Sequence, residues 1–518
     1  MRIIKEKIMN MKKLDILFVH PSAKELRYLI YQDLEKNDAA IEPPIWAAML
    51  ANHCRTKGFS TEILDCEAEG LRIVDASSQA LDFKSRIICI VVYGQQPSAS
   101  TQNMEGAIKL SDEIKRQGPD SKIVLLGPHV SALPKEVLKN HPSVDFICQN
   151  EGVYTLSNLL MVQNFDDVSF LRKVKGLGFR DGDNVILNAP ERIVPKNLLE
   201  QDLPGMAWDL LPNLNKYRTA GWHSWPNKSD KSPFAAIYTS LGCPFRCSFC
   251  MINIINRTKL GDDIDSSDSN VFRFWQPEFI IKQFDYMAKV GIKNVKIADE
   301  LFVFNTKHFM KICDLLIERD YGFNIWCYSR IDTCKPAYLE KMKKAGINWI
   351  GLGIENPNQV LRKEVHKGGY KGIKILDIIN SVRDAGIGVG ANYIFGLPMD
   401  NEETIKETLQ YAMDNITDMA NFYCAMAYPG SPLYLEAVRK GWKLPDTYAG
   451  YSQHSYYTHP LSNGLLTSEE ILAFRDQAYI KYHSNPVYLK RLEDQYGVDA
   501  ATNVRDTLKI DLKRKILE

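Results

Sequence analysis

Two long stretches of this 518-residue chain alternate short apolar segments with longer amphipathic ones, and that rhythm narrows the folds open to it. The first stretch reads LDILFV (14–19), FSTEILDC (59–66), IICIVVYG (87–94), KIVLLGPH (122–129) and DFICQNEG (145–152). Amphipathic segments such as Pro44–Lys57 lie between them. Strands that are apolar throughout and separated by helices form a parallel sheet covered on both faces. Residues 12–165 are therefore predicted to be a Rossmann-like domain. Ligands of such sheets bind beyond the carboxyl ends of the strands. Those ends carry His20-Pro21-Ser22, Tyr93-Gly94-Gln95-Gln96, Gly127-Pro128-His129 and Glu151-Gly152. No G-x-G-x-x-G follows the first strand, so a dinucleotide is not favoured.

The second stretch begins at Phe234. FAAIYTS (234–240), NVKIAD (294–299), FNIWCYSR (323–330), WIGLGIE (349–355), VGANYIFG (389–396) and FYCAMAY (422–428) read as six strands. Amphipathic segments at Pro277–Val290, Thr306–Arg319 and Lys335–Ala345 separate them. Six strand–helix repeats predict an open or partial (β/α)6 barrel over residues 233–440, with its chemistry at the carboxyl ends of the strands. Residues 166–232 read as a linker containing the hairpin FRDGDNVILN, turning at Asp181-Gly182. Residues 441–518 read as a small, mainly helical segment capping the substrate site. Its stretch DTYAGYSQHSYYTHPL makes Tyr456 and His454 catalytic candidates; the competing reading is an aromatic patch that packs the tail. Thr467-Ser468-Glu469-Glu470 has the chemistry of a helix start. The final DLKRKILE is expected to be a surface helix.

Composition narrows the function. Lys and Arg number 64 against 63 Asp and Glu, a balance that suggests no nucleic-acid partner. No apolar run approaches the ~20 residues that cross a bilayer. The opening MRIIKEKIMNMKKLDILFVHPS is basic, but its apolar run stops at His20-Pro21; it reads as a leader entering the first strand rather than a signal peptide. The 11 cysteines are odd in number and mostly scattered, which disfavours a disulfide framework and favours a reducing cytoplasm.

Three of those cysteines, Cys243, Cys247 and Cys250, fall within eight residues in SLGCPFRCSFCMI, directly after the first strand of the second stretch. A buried helical stripe is one reading, but Gly242 and Pro244 are poor helix formers. A zinc site is another, but structural zinc takes four ligands and no histidine lies nearby in sequence. Three thiolates also suit an iron–sulfur cluster with one iron left open to another ligand.

C-x3-C-x2-C after the first strand of a barrel resembles the radical S-adenosylmethionine superfamily. The resemblance implies a [4Fe–4S] cluster on these three cysteines, with S-adenosylmethionine on the fourth iron. One electron would cleave the sulfonium to a 5′-deoxyadenosyl radical, which abstracts hydrogen from an unactivated carbon. It also implies S-adenosylmethionine contacts at Phe249, Asp299, Glu300, Ser329, Arg330 and Glu355. The first stretch, with LLGPHVSALPKEVL and QNEGVYTL, resembles the cobalamin-binding domain found ahead of such barrels, with Gly-Pro and Asn-Glu-Gly standing where that family has Gly-Gly and Gly-Glu-Gly. It implies cobalamin contacts at Tyr93, Gly94, Ser98, Gly127, His129, Glu151 and Gly152. D-x-H-x-x-G is missing, so cobalt is expected to lack a protein imidazole, and His129 to order a loop by hydrogen bonding. Together, over about residues 12–440, these imply a cobalamin-dependent radical enzyme. Methyl transfer to carbon of a small molecule, such as a sugar, lipid or other secondary metabolite, is the leading expectation, with flavodoxin or ferredoxin as external electron donor. Cyclisation or rearrangement, radical chemistry without cobalamin, and an iron–sulfur redox sensor are the alternatives. A methylthiotransferase is disfavoured, because Cys54, Cys66, Cys89 and Cys148 do not resemble the set that holds its second cluster.

Overall fold

The computed structural model describes residues 13–518 apart from 23, 37–38, 95, 227–229 and 269–270. Most of the basic leader and Gln95 thus lie outside the described residues. The first domain is built on strands β1 (Ile16–His20), β2 (Thr61–Asp65), β3 (Ile87–Val91), β4 (Ile123–Leu126) and β5 (Phe146–Cys148). They are parallel, in the order β2-β1-β3-β4-β5. Side chains of a strand alternate between faces, and both faces are buried. Ile16, Phe18, Ile87, Cys89, Val124 and Leu126 enter one core, whereas Leu17, Val19, Ile88, Ile90, Ile123 and Leu125 enter another.

The hairpin expected in the linker forms as β6 (Leu177–Asp181) and β7 (Asn184–Leu187), with Gly182 at φ 58° in its turn. It is not a free connector. β6 pairs antiparallel with β5 and extends the first sheet to seven strands, so the first sheet runs past residue 165.

The second domain carries β8 (Phe234–Ile237), the small antiparallel pair β9 (Ser240–Leu241) and β10 (Arg273–Phe274), then β11 (Asn294–Ile297), β12 (Asn324–Arg330), β13 (Ile347–Glu355), β14 (Gly388–Phe395) and β15 (Met419–Cys424). Six of these make one parallel sheet in sequential order from β8 to β15. Its two edges do not pair, so the barrel is open. Edge strand β15 is covered from the C-terminal segment: Gln453 exchanges hydrogen bonds with the backbone of Cys424 at 2.9 and 3.0 Å, and Arg475 Nε donates to Phe422 O at 2.8 Å. Thr467 caps helix Ser468–His483 in a reciprocal pair with Glu470, as its sequence predicts. The final DLKRKILE differs from expectation: it holds only a single turn at Lys515–Leu517. Buried Arg514 pins it to Asp476 and to the carbonyls of Ser455 and Gln453, and those side-chain bonds replace a helix ladder.

Candidate active site

The loop after β8 crosses the mouth of the barrel. Gly242 holds φ 86°, and a side chain there would collide with Val271 O, so only glycine lets the chain turn into the cysteine run. Asn253 braces the turn, donating to Cys243 O at 3.0 Å. Cys243, Cys247 and Cys250 are half-buried, while the other eight cysteines are buried. Cys54, Cys66, Cys89 and Cys148 belong to the first domain's core. Burial raises all three loop thiols, Cys243 to about 11; at Cys247 the nearby cations Lys367 and Arg330 oppose that rise.

Arg330, at the end of β12, is held by Asp332 at 2.8 and 2.9 Å. Its guanidinium lies 3.8 Å from the ring centre of Phe245 in the cysteine loop and 3.9 Å from Cys247 Sγ. It also donates to Lys367 O. Lys367 Nζ in turn meets Glu355 Oε1 at 2.6 Å. Glu355 ends β13 at an irregularity in the register with β14 and takes φ 62°. Such bulges re-aim a side chain; here the carboxylate faces the cavity. Lys367 was missed by sequence reasoning, because it lies in a loop outside any strand or helix; its only signal is the HKGG turn that follows the GLGIEN strand.

A cavity of ≈ 440 Å³ lies over the mouth. Phe249, Cys250, Glu300, Ser329, Arg330 and Glu355 line it, with Lys367. Asp299 does not join them. Its carboxylate turns back to accept from Thr239 N, Thr239 Oγ1 and Ser240 Oγ, each at 2.6 Å, and so fastens the strand that leads into the cysteine loop. Burial raises Asp299 to about 6 and Glu300 to about 8.

The opposite wall comes from the first domain: Gln96, Pro97, Ser98, Ala99 and Gln102, at the carboxyl end of β3. Tyr93 and Gly94 line a small adjoining cavity, and the Tyr93 hydroxyl is buried without a hydrogen-bond partner. The remaining cobalamin candidates lie beneath this wall. A side chain at Gly127 would strike Val92 O and one at Gly152 would strike Leu126, so packing inside the domain already demands both glycines. Glu151 pairs with Arg273 of the barrel domain, buried on both sides, and accepts from Val194 N at 3.0 Å. His129 is buried, its Nδ1 3.2 Å from Thr101 Oγ1, and burial lowers it to about 3, so it is neutral. The ring packs edge-on against Tyr448, and its Nε2 is buried without a hydrogen-bond partner.

The C-terminal candidates separate. His454 lines the cavity. Tyr456 does not line it and donates to Glu518 at 2.7 Å, on the outer surface.

The donor set fits the groups expected of it. Among the described residues no three Cys, His, Asp or Glu side chains converge on a single cation position. Cys243, Cys247 and Cys250 lie near enough to raise one another, and three neighbouring thiols suit a cluster, where each thiolate binds its own iron. The paired cations beside Cys247 and the carboxylates at the strand ends match an amino acid's charges. Tyr93, Gly94 and Ser98, with an unpaired phenol among them, suit a large ligand on the first domain's wall.

Comparison with known proteins agrees. Residues 237–412 match the family model described as the radical SAM superfamily, and residues 36–160 match the B12 binding domain. A protein named as an uncharacterized methyltransferase in Pyrococcus horikoshii is 24% identical over 90% of this chain and 94% of its own. The anaerobic magnesium-protoporphyrin IX monomethyl ester cyclase of Cereibacter sphaeroides is 25% identical over 88% of this chain and 68% of its own. Among solved structures, the radical S-adenosylmethionine methyltransferase TsrM of Kitasatospora setae, holding cobalamin and a [4Fe–4S] cluster, shares the fold. Its TM-score is 0.63 at 14% identity, over 92% of this chain and 90% of that one. The cofactors are those of the two matched families: a [4Fe–4S] cluster, S-adenosylmethionine and cobalamin. The chain belongs to the radical S-adenosylmethionine superfamily and carries a B12-binding domain ahead of its radical domain.

Proposed function

We propose that the protein transfers a methyl group to an unactivated carbon of a small molecule. One observation carries the reading: the cysteine loop of the barrel and the β3 end of the B12-binding domain face each other across one cavity. When bound, the cluster with S-adenosylmethionine supplies a radical able to take hydrogen from carbon, and cobalamin supplies a methyl carrier.

The chain's own residues bind, orient and shield. Cys243, Cys247 and Cys250 hold the cluster. Arg330 and Lys367 place positive charge beside Cys247, where it favours thiolate over thiol. Glu300, Glu355, Ser329 and Arg330 present the acceptors and donors that suit an amino group, a ribose and a carboxylate, and Phe249 offers a flat apolar face. Ser98 on the opposite wall, with Tyr93 and Gly94 lining the small cavity beside it, would hold the cobalamin. Phe249, Tyr328, Tyr423 and Tyr428 give the cavity apolar surface beside its charged strand ends, which limits water around a reactive radical. An external flavodoxin or ferredoxin supplies the electron.

Ring closure is the second reading, favoured by the likeness to the cyclase. Products decide between them. Anaerobic incubation of reconstituted protein with reductant, cobalamin and S-adenosylmethionine should yield both S-adenosylhomocysteine and 5′-deoxyadenosine. A cyclase forms 5′-deoxyadenosine without S-adenosylhomocysteine. Cys243→Ala, Cys247→Ala and Cys250→Ala should each lose 5′-deoxyadenosine while remaining folded. Absence of 5′-deoxyadenosine from the unmodified protein sinks both readings.

A further inference from the structure

The cavity at the barrel mouth continues into the barrel. Two more cavities, of ≈ 250 and ≈ 320 Å³, follow it in series. Tyr31, Tyr423 and His454 border all three and form a shared neck. The middle cavity lies within the sheet, against Trp326, Tyr328, Gly351, Gly390 and Asn392. The last reaches the surface beside edge strand β15, between Trp225, Phe422, Tyr479, Ile480 and Leu512.

Barrel interiors of this kind are ordinarily filled by branched side chains. Here two adjacent strands put glycine at one level, Gly351 paired with Gly390. A side chain begun at Gly390 would meet only backbone, at 3.9 Å, and otherwise open space. The unpaired edges of the sheet leave the rest of the opening. The charged groups bordering the inner two cavities have partners of opposite sign. Lys296 meets Glu42 at 3.0 Å, Arg475 meets Asp476 at 2.7 Å, and Asp511 meets Lys513 at 2.9 Å. Asn421 donates to Asn392 at 3.0 Å. What remains is indole, phenol and aliphatic surface, which suits an uncharged hydrocarbon ligand. Two buried polar atoms are left over without a hydrogen-bond partner: the donor Trp349 Nε1 on the middle cavity and His454 Nδ1 on the neck.

We propose that this passage is a second compartment of the substrate site. It takes the long, uncharged hydrocarbon chain of an elongated substrate, with His454 Nδ1 hydrogen-bonding a neutral hydroxyl or carbonyl at the neck. This rests on the reading of the mouth cavity as an enzyme site, and it names the substrate class.

The probe is geranylgeraniol, a long uncharged polyprenol, against geraniol, its short counterpart. Both are titrated into the reconstituted full-length protein, with tryptophan emission as the readout. Geranylgeraniol should bind saturably and geraniol about tenfold or more weakly, since each buried methylene adds to affinity. Gly390→Leu, which fills the middle cavity, should weaken geranylgeraniol by about tenfold or more. Thr507→Trp narrows the outer cavity from a half-exposed helix end and should act in the same direction, which keeps the test decisive should the barrel variant misfold. Equal binding of the two alcohols, or geranylgeraniol affinity unchanged in the folded variants, overturns the passage. Formation of 5′-deoxyadenosine by the unmodified protein is measured in parallel. Its absence sinks the enzyme reading, whereas its presence without polyprenol binding sinks only this inference.

Discussion

Glu355 shows how much of the site turns on single residues. A carboxylate-bearing residue at φ 62° is strained by ~1–3 kcal/mol, and such strain persists where surroundings over-determine it. Lys367 supplies that constraint through a 2.6 Å ion pair, buried on both sides. Lys367→Met should therefore free the Glu355 side chain and leave its charge unpaired. Binding of S-adenosylmethionine to the reconstituted variant, followed by equilibrium dialysis, should weaken roughly tenfold or more, the cost of losing one partner of a buried pair. Unchanged affinity would mean that Lys367 acts elsewhere. Strand-end position alone pointed to Glu300, Ser329, Arg330 and Glu355 as groups facing the mouth. It did not tell which of two adjacent carboxylates turns inward. Asp299 turns away because Thr239 and Ser240, just beyond the end of β8, offer it three donors, a non-local fact.

Among elements, edge strand β15 is the one whose protection sequence patterning hides. The stretch around residue 454 is conspicuous for Tyr and His, yet Gln453 makes the bonds that satisfy the edge. Gln453→Leu should leave the N–H and C=O of Cys424 buried and unpaired, a cost of about 1–3 kcal/mol per group. The measurable outcome is a lower urea midpoint together with faster amide exchange at Cys424; unaltered exchange there would refute the edge-sealing role. The strand–helix alternation made both parallel sheets legible, because apolar strands and amphipathic helices are local patterns. The hairpin was legible as a hairpin through its Gly182 turn, but not its attachment to β5, since any open sheet edge can receive an antiparallel ribbon. The DLKRKILE tail was misread for a similar reason: its charge pattern suits a surface helix, and only Asp476, far away in sequence, explains why Arg514 is buried.

The two domains share one continuous apolar core and are joined by buried polar contacts as well. Glu151 and Arg273 form a buried pair across the interface, and Glu151→Gln should cost about 3–5 kcal/mol by stranding the guanidinium. Restored stability in Glu151→Gln combined with Arg273→Met is the expected control; an undiminished unfolding midpoint in the single variant would discount the pair. Burial on this scale also sets the response to acid. His129, His223 and His454 are lowered to about 3, and His308 and His483 to about 4, each chiefly by burial. All five are neutral when folded and titrate near 6.5 when unfolded. Between those limits the unfolded chain binds more protons, so stability rises with pH and is lost as pH falls below about 6.5. Buried acids oppose this. Glu300 is raised to about 8, and Asp299 and Asp400 to about 6, so the folded chain holds their protons and gains stability as pH falls. Near pH 6 these eight groups alone leave the histidines ahead by about two protons, or roughly 2–3 kcal/mol per pH unit; His53, His141 and His459, lowered by burial, add to that slope, whereas Glu42, Glu67, Glu136 and Asp262, raised by burial, and His20, raised by Asp65 against its burial, reduce it. Unfolding free energies from urea titration at pH 7, 6 and 5.5 should fall at about that slope. His308→Gln keeps a donor toward Trp275 O and should flatten the slope by about one proton. Stability that is level or rising from pH 7 to 5.5 would show that the acids, not the histidines, dominate the core's titration.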